Sequence, residues 1–219
     1  MKERLERLNY LVTTGRMTQG AWGRKDRAGR ETFCLLSALC PETLDSSWSE
    51  AQTCGSAARC PPDVMPAWFA ALVVFINDGP SRRAYPEVVR RFSACAAKWQ
   101  ALDDAAWRRV EDAALWASLT EASLLAHPYS EQIKELCNEV KAWIYRGRPE
   151  EGRFELNKRA WAREERSSLV VRAVTSGHHN AAEWAATVAG GHDTSAAEKI
   201  VDRVLHSLEV ECGLAARLA

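Results

Sequence analysis

Residues 63–78 are apolar on nearly every side of a helix: Val64, Met65, Trp68, Phe69, Leu72, Val73, Val74, Phe75 and Ile76 leave no polar stripe. A helix apolar all round has to be enclosed by other elements. The apolar run 64–76 is shorter than the ~20 residues that a bilayer span takes, so a buried core helix is expected. Gly79-Pro80 ends it, with Gly79 expected as a left-handed stop. The rest of the chain must then supply amphipathic helices to cover this one.

It does so repeatedly. Leu5, Leu8, Leu11 and Val12 follow helical spacing before Gly15. Tyr85, Val88, Val89, Phe92, Cys95, Ala96 and Trp99 form an i, i+3, i+4, i+7 series. Further series carry Trp107, Val110, Ala114, Ala117 and Leu124, then Ile133, Leu136, Cys137, Val140 and Ile144. The last carries Ala197, Ile200, Val201, Val204, Leu205 and Leu208. Asp103, Ser130 and Asn180 stand at cap positions, and Ser47 with Glu50 and Ser195 with Glu198 form capping-box patterns. Stops follow at Gly55, His127-Pro128, Arg146-Gly147-Arg148-Pro149 and Gly190-Gly191. A short buried helix is expected over 31–39, ended by Pro41, and a long basic one over 155–175. Residues 19–24 read as extended and 25–29 as a tight turn, which a small hairpin near 19–30 would satisfy. Nowhere is there period-2 alternation long enough for a larger sheet. The expected fold is all-α: a single globular multi-helix bundle of about eight or nine helices. A seam near 100–103 divides an N-terminal unit, 1–100, from a C-terminal unit, 101–219, with the two packed as one globule.

The 219 residues are long enough to bury a real core, and the apolar fraction of 47% is ordinary for a globular chain. Net charge is zero, without the basic excess of a dedicated nucleic-acid binder. The zero conceals blocks of +4 (1–100), −5 (101–140), +4 (141–173) and −3 (174–219), which neutralise one another if their helices pack side by side. The charged start Met1-Lys2-Glu3-Arg4 leads into no apolar signal segment. With seven cysteines, an odd number, the expectation is reduced thiols in a cytoplasm and no disulfide framework.

Residues that could carry chemistry are few. Asn77 and Asp78 close the apolar helix. They read first as a helix terminus, and second as polar groups facing Gln19 and Trp22 across a pocket. Cys34, Cys40, Cys54 and Cys60 form two C-x5-C pairs, wider than zinc knuckles use, and Cys34 reads as a small buried hydrophobe. His178, His179 and His192-Asp193 lack any helical metal register and read as loop and cap residues. No metal, cofactor or catalytic residue is assigned. There is no G-x-S-x-G, no phosphate-binding glycine loop and no Cys with a positioned His. Arg159, Arg163 and Arg166 share one face of the basic helix, with Trp161 among them. They can grip phosphates, or pair with the acidic 101–140 segment, the latter being favoured. Nine tryptophans exceed what a core of this size readily encloses. Trp68 and Trp99 belong to apolar faces, and Trp48, Trp116 and Trp161 are expected as surface anchors.

Residues 17–96 carry Met17-Thr18-Gln19-Gly20-Ala21-Trp22, Gly29, Cys34-Leu35-Leu36-Ser37-Ala38-Leu39, Phe75-Ile76-Asn77-Asp78 and Pro86-Glu87-Val88 with Phe92. In order and spacing these resemble an uncharacterised domain family of bacteria and phages. The insertion 45–62 departs from its simplest form. The resemblance implies a bacterial or phage origin and brings no activity with it.

The leading functional expectation is a non-enzymatic protein that binds another protein, as an inhibitor or accessory factor in phage–host conflict. A nucleic-acid-binding accessory using the 153–172 helix, or an enzyme with a dispersed site near Gln19, Trp22 and Asp78, are the alternatives. No membrane association is expected.

Overall fold

A computed structural model describes residues 1–44, 60–125, 131–164, 166–177, 181–191 and 193–216. The caps and stops expected at Ser47, Glu50, Gly55, His127-Pro128, Ser130 and Asn180 lie outside them, as do Trp48, Cys54, His178, His179 and His192.

The described residues form ten α-helices and one two-stranded hairpin, the all-α architecture that the periodicity required. In chain order they are α1 (Lys2–Thr13), β1 (Gly23–Lys25), β2 (Glu31–Phe33), α2 (Leu35–Leu39), α3 (Ala67–Asp78), α4 (Tyr85–Ala96), α5 (Asp104–Leu125), α6 (Glu131–Tyr145), α7 (Arg153–Trp161), α8 (Arg166–Thr175), α9 (Ala181–Gly190) and α10 (Thr194–Glu211). Short 3-10 turns cover Pro41–Leu44 and Trp99–Ala101. Among these helices none is long and apolar enough to cross a membrane.

Four local expectations need correction. The Ser195–Glu198 capping box does not form: Asp193 caps α10, accepting the Ser195 N–H at 2.8 Å, and Glu198 accepts the Ser81 N–H instead. Residues 31–33 are not the start of a helix but β2, paired antiparallel with β1 through Gly23–Phe33, Arg24–Thr32 and Lys25–Glu31. The turn between them is closed by Asp26, whose Oδ1 accepts the Ala28 and Arg30 N–H groups. Gly29, at φ +77°, supplies the left-handed residue that the turn needs. The basic stretch 155–175 is two helices, α7 ending at Trp161 and α8 beginning at Arg166, with 162–164 outside both. Gly79 is right-handed, at φ −68° and ψ −39°, so α3 ends without a left-handed stop.

The core knits the chain's two halves together. Phe69 of α3 is fully buried and meets Trp99 at 5.6 Å and Trp107 of α5 at 5.0 Å between ring centres. Phe92 of α4 meets Trp99 edge-on at 5.4 Å. α9 lies against α3, α5, α8 and α10. Its buried side chains Ala181, Ala182, Ala185, Ala186 and Ala189 are all small, which lets neighbouring helices approach closely. At its end Gly190 abuts Phe75 of α3. A methyl group there would lie 2.8 Å from Phe75 Cε2 and 3.1 Å from Ala197 Cβ.

Arg91, Arg148 and Arg159 join blocks of opposite net charge, while Arg109 joins two acidic ones. Arg91 of α4 holds Asp202 (2.6 Å) and Glu209 (2.8 Å) of α10, and Arg109 of α5 holds Glu211 (2.6 Å). Arg148 reaches Glu111 and Asp112 of α5, and Arg159 of α7 reaches Glu139 of α6. The cysteine expectation changes too: Cys40 and Cys60, both buried, are disulfide-bonded, with Cα atoms 5.6 Å apart. Cys34, Cys95, Cys137 and Cys212 are free thiols.

Because the contact at Gly190 is with a packed ring and a helix, Gly190→Ala is expected to destabilise the fold by about 1–3 kcal/mol in urea unfolding. Adding Phe75→Leu should recover part of that loss. Equal stability of Gly190→Ala and the parent would show that the α3–α9 contact is loose.

Candidate functional site

Residues 16–18 run beside β2, where Thr18 N–H donates to the Phe33 carbonyl at 2.9 Å, and 19–22, expected as extended, bend before β1. This places Gln19 against the end of α3. Asn77, on the last turn of α3, is 1% exposed and anchors the junction. Its Nδ2 donates to the Thr18 carbonyl (3.0 Å) and to Asp78 Oδ1 (2.6 Å). Its Oδ1 accepts from the Tyr85 hydroxyl (2.8 Å) and from the Leu35 N–H (3.1 Å). Gln19 Nε2 donates to the carbonyls of Asn77 (2.9 Å) and Pro80 (3.1 Å), and the Gly20 N–H donates to Asp78 Oδ1 (2.8 Å).

So the structure does bring Gln19, Asn77 and Asp78 together, and it adds Tyr85, which sequence reasoning had placed only on an apolar face. Trp22 is nearby but turned inward: its ring is half-buried against the core, and its carbonyl accepts from the Ser37 hydroxyl and the Cys34 N–H. Nearly every polar atom of this cluster holds the hairpin segment onto α3, and one buried amide links four separate stretches of chain. Burial, with Cys34 and Asp78 nearby, pushes the Tyr85 phenol above its ordinary value, so it stays a donor. Burial likewise raises the Cys34 thiol, whose sulfur caps α2 by accepting from the Ser37 N–H.

The second group of expected residues falls elsewhere. Trp161 ends α7, and its indole is 66% exposed. The Arg172 guanidinium of α8 lies 4.6 Å above that ring and is held by the carbonyls of Ala160 (3.0 Å) and Arg163. Trp184 of α9, which the helical spacing did not single out, is 50% exposed on the other side. Together with Leu169, Ala173 and Ser176 these side chains line a cavity of about 220 Å³. Arg159 is turned away onto Glu139, at 2.5 and 2.9 Å, and that hydrogen-bonded pair raises its pKa. Arg163 contributes its backbone carbonyl to the Arg172 cradle. Arg166 begins α8, and its side chain is outside those described. The break after α7 therefore removes the single arginine face that i, i+4, i+7 spacing implied.

A longer groove of about 650 Å³ runs between α5 and α10, with Trp116 (44% exposed) at its edge. Of its cations, Arg109 and Lys199 are turned to Glu211 and Glu121, and Arg203 lines it without an ion pair among the described residues. Among the described residues no three His, Cys, Asp or Glu side chains gather in a way that could hold a metal ion.

No protein-family model, curated protein or solved structure matches the chain.

Two outcomes follow from the Asn77 cluster. Asn77→Ala leaves the Leu35 N–H and the Tyr85 hydroxyl without their acceptor. It should lower stability by at least about 1–3 kcal/mol, the cost of a buried unsatisfied group, measured by chemical unfolding. For Tyr85 the folded pKa lies above the unfolded one. Its contribution is therefore complete below the unfolded value of about 10 and is lost as pH rises through the folded value. Stability measured between pH 9 and 11 should fall with pH, and Tyr85→Phe should flatten that slope. An unchanged slope would mean that the phenol carries no such linkage.

Proposed function

We propose that this protein is a docking module that binds another protein through the Trp161–Arg172–Trp184 surface. The observation that carries the reading is two tryptophans, 66% and 50% exposed, standing either side of one small apolar cavity. Each exposed indole forgoes burial worth about 2 kcal/mol, so a pair of them around a hollow is a stored driving force for association. Trp and Arg are also the residue types that most often carry interface energy. Arg172 is already fixed by two carbonyls and the Trp161 ring, so little side-chain freedom is lost when a partner arrives.

The cavity's size selects the occupant. At about 220 Å³ it is below the ~300–1,000 Å³ of small-molecule sites, and it suits an apolar side chain presented by a partner's surface. In the bacterial or phage setting that the sequence resemblance implies, such a module acts as an inhibitor or accessory factor of the protein it covers.

A photo-crosslinking residue introduced in place of Trp184 should give a discrete adduct of the chain with one protein in the producing cell. Trp161→Ala should abolish the adduct while changing stability by no more than about 1 kcal/mol, since the ring is mostly exposed. The same crosslinker in place of Tyr10, 56% exposed on α1, serves as the control. Equal labelling from both positions, or none from position 184, would overturn the assignment. An adduct at twice the chain's mass would replace the foreign partner with a second copy.

A further inference from the structure

We propose that a basic hollow beside the β-hairpin, remote in sequence from the tryptophan surface, is a binding site for a small ligand bearing adjacent phosphate groups. The hollow measures about 640 Å³, within the range of small-ligand sites. The hairpin forms one wall, residues 15–19 the floor, and the turn leading into α4 the other wall. Arg24, Lys25 and Arg27 line it from the hairpin, and Arg82 faces them from the turn.

What sets this place apart is that four cations without a described ion pair share one hollow. Several arginines elsewhere find carboxylates: Arg4 with Glu42, Arg90 with Glu87, Arg91 with Glu209, Arg109 with Glu211, Arg148 with Asp112 and Arg159 with Glu139. Arg24, Lys25, Arg27 and Arg82 make no side-chain hydrogen bond or ion pair with any described residue, although the chain has as many acids as bases. The one acid in the lining is Asp26. Its Oδ1 accepts two turn amides and its Oδ2 accepts Arg30 Nε at 2.9 Å, so its charge is already answered. Four cations thus line one concavity whose nearby acids are Asp26, already engaged, and Glu31, opposite Lys25 in the ladder; the excess of positive charge focuses a positive potential there.

The lining also decides what kind of anion fits. The Tyr85 hydroxyl donates to Asn77 Oδ1 and the Thr18 carbonyl, Gln19 Nε2 to the Asn77 and Pro80 carbonyls, and Thr32 Oγ1 to the Arg24 carbonyl. With those donors engaged inside the fold, recognition falls to the guanidinium and ammonium groups at the rim. Guanidinium forks match phosphate oxygens in bidentate fashion, and four such cations suit two or more linked phosphates better than a single carboxylate. A nucleic-acid strand would instead need cations spread along a track with aromatic faces for stacking.

The test is calorimetric titration of the full chain with inorganic pyrophosphate at low ionic strength. Binding at one site per chain is expected, weakening as salt is raised. The double variant Arg24→Ala/Arg82→Ala alters exposed side chains and should keep the parent's circular dichroism and thermal midpoint. Its pyrophosphate affinity should fall about tenfold or more, the loss expected for charge-assisted hydrogen bonds. Lys158→Ala, an exposed cation on α7, should leave the affinity unchanged. The proposal is overturned by no binding at low salt, by equal binding to the double variant, or by equal weakening in Lys158→Ala. It is also overturned if a short DNA or RNA duplex binds and pyrophosphate fails to displace it. ADP competing with pyrophosphate would identify a nucleotide as the carrier of the phosphates, and failure to compete alongside pyrophosphate binding would favour a polyphosphate without a base.

Discussion

The rings of Phe69, Phe92, Trp99 and Trp107 are the contact on which the remaining packing depends. They come from α3, α4, the turn after it and α5, so they fix the angle at which the chain's first hundred residues meet the rest. Edge-to-face geometry adds about 0.5–1.5 kcal/mol per pair beyond the area buried. A penalty of about 1–3 kcal/mol works against it, because the Trp99 indole N–H is buried with no hydrogen-bond partner among the described residues. With α3 held there, its far end presents Asn77 to the hairpin segment and Phe75 to Gly190 of α9.

Electrostatics follows the same packing. Arg91 ties α4 to α10 while Arg159 ties α7 to α6, and both join blocks of opposite sign that are distant in sequence or on different helices. Exposed pairs of this kind add little stability on their own. The uncompensated cations at the hairpin rim lie far in sequence from the arginines of α7.

The helical bundle was legible because 3.6-residue periodicity in apolar positions survives any detail of tertiary arrangement. The hairpin was only half legible. Strands of Gly-Arg-Lys and Glu-Thr-Phe are too short to show alternation, and the apolar stretch after them drew residues 31–33 into a helix that begins at Leu35. The break between α7 and α8 carried neither glycine nor proline, so nothing local announced it. At the candidate sites, Gln19 and Asp78 were recognisable as polar residues among apolar ones, and Trp161 as an aromatic on a basic helix. Tyr85 and Trp184 were not, since each occupies a position that a core-facing residue could equally hold.

By itself, then, the sequence determined that this chain folds as an all-α bundle around residues 67–78, because an all-round apolar helix can exist only inside a shell of amphipathic ones. Tertiary structure alone decided which charges cancel and which polar groups stay inside. It also decided which tryptophans reach the surface and that Cys40 lies beside Cys60. Those outcomes depend on distances between residues far apart in the chain, and no local pattern encodes such a distance.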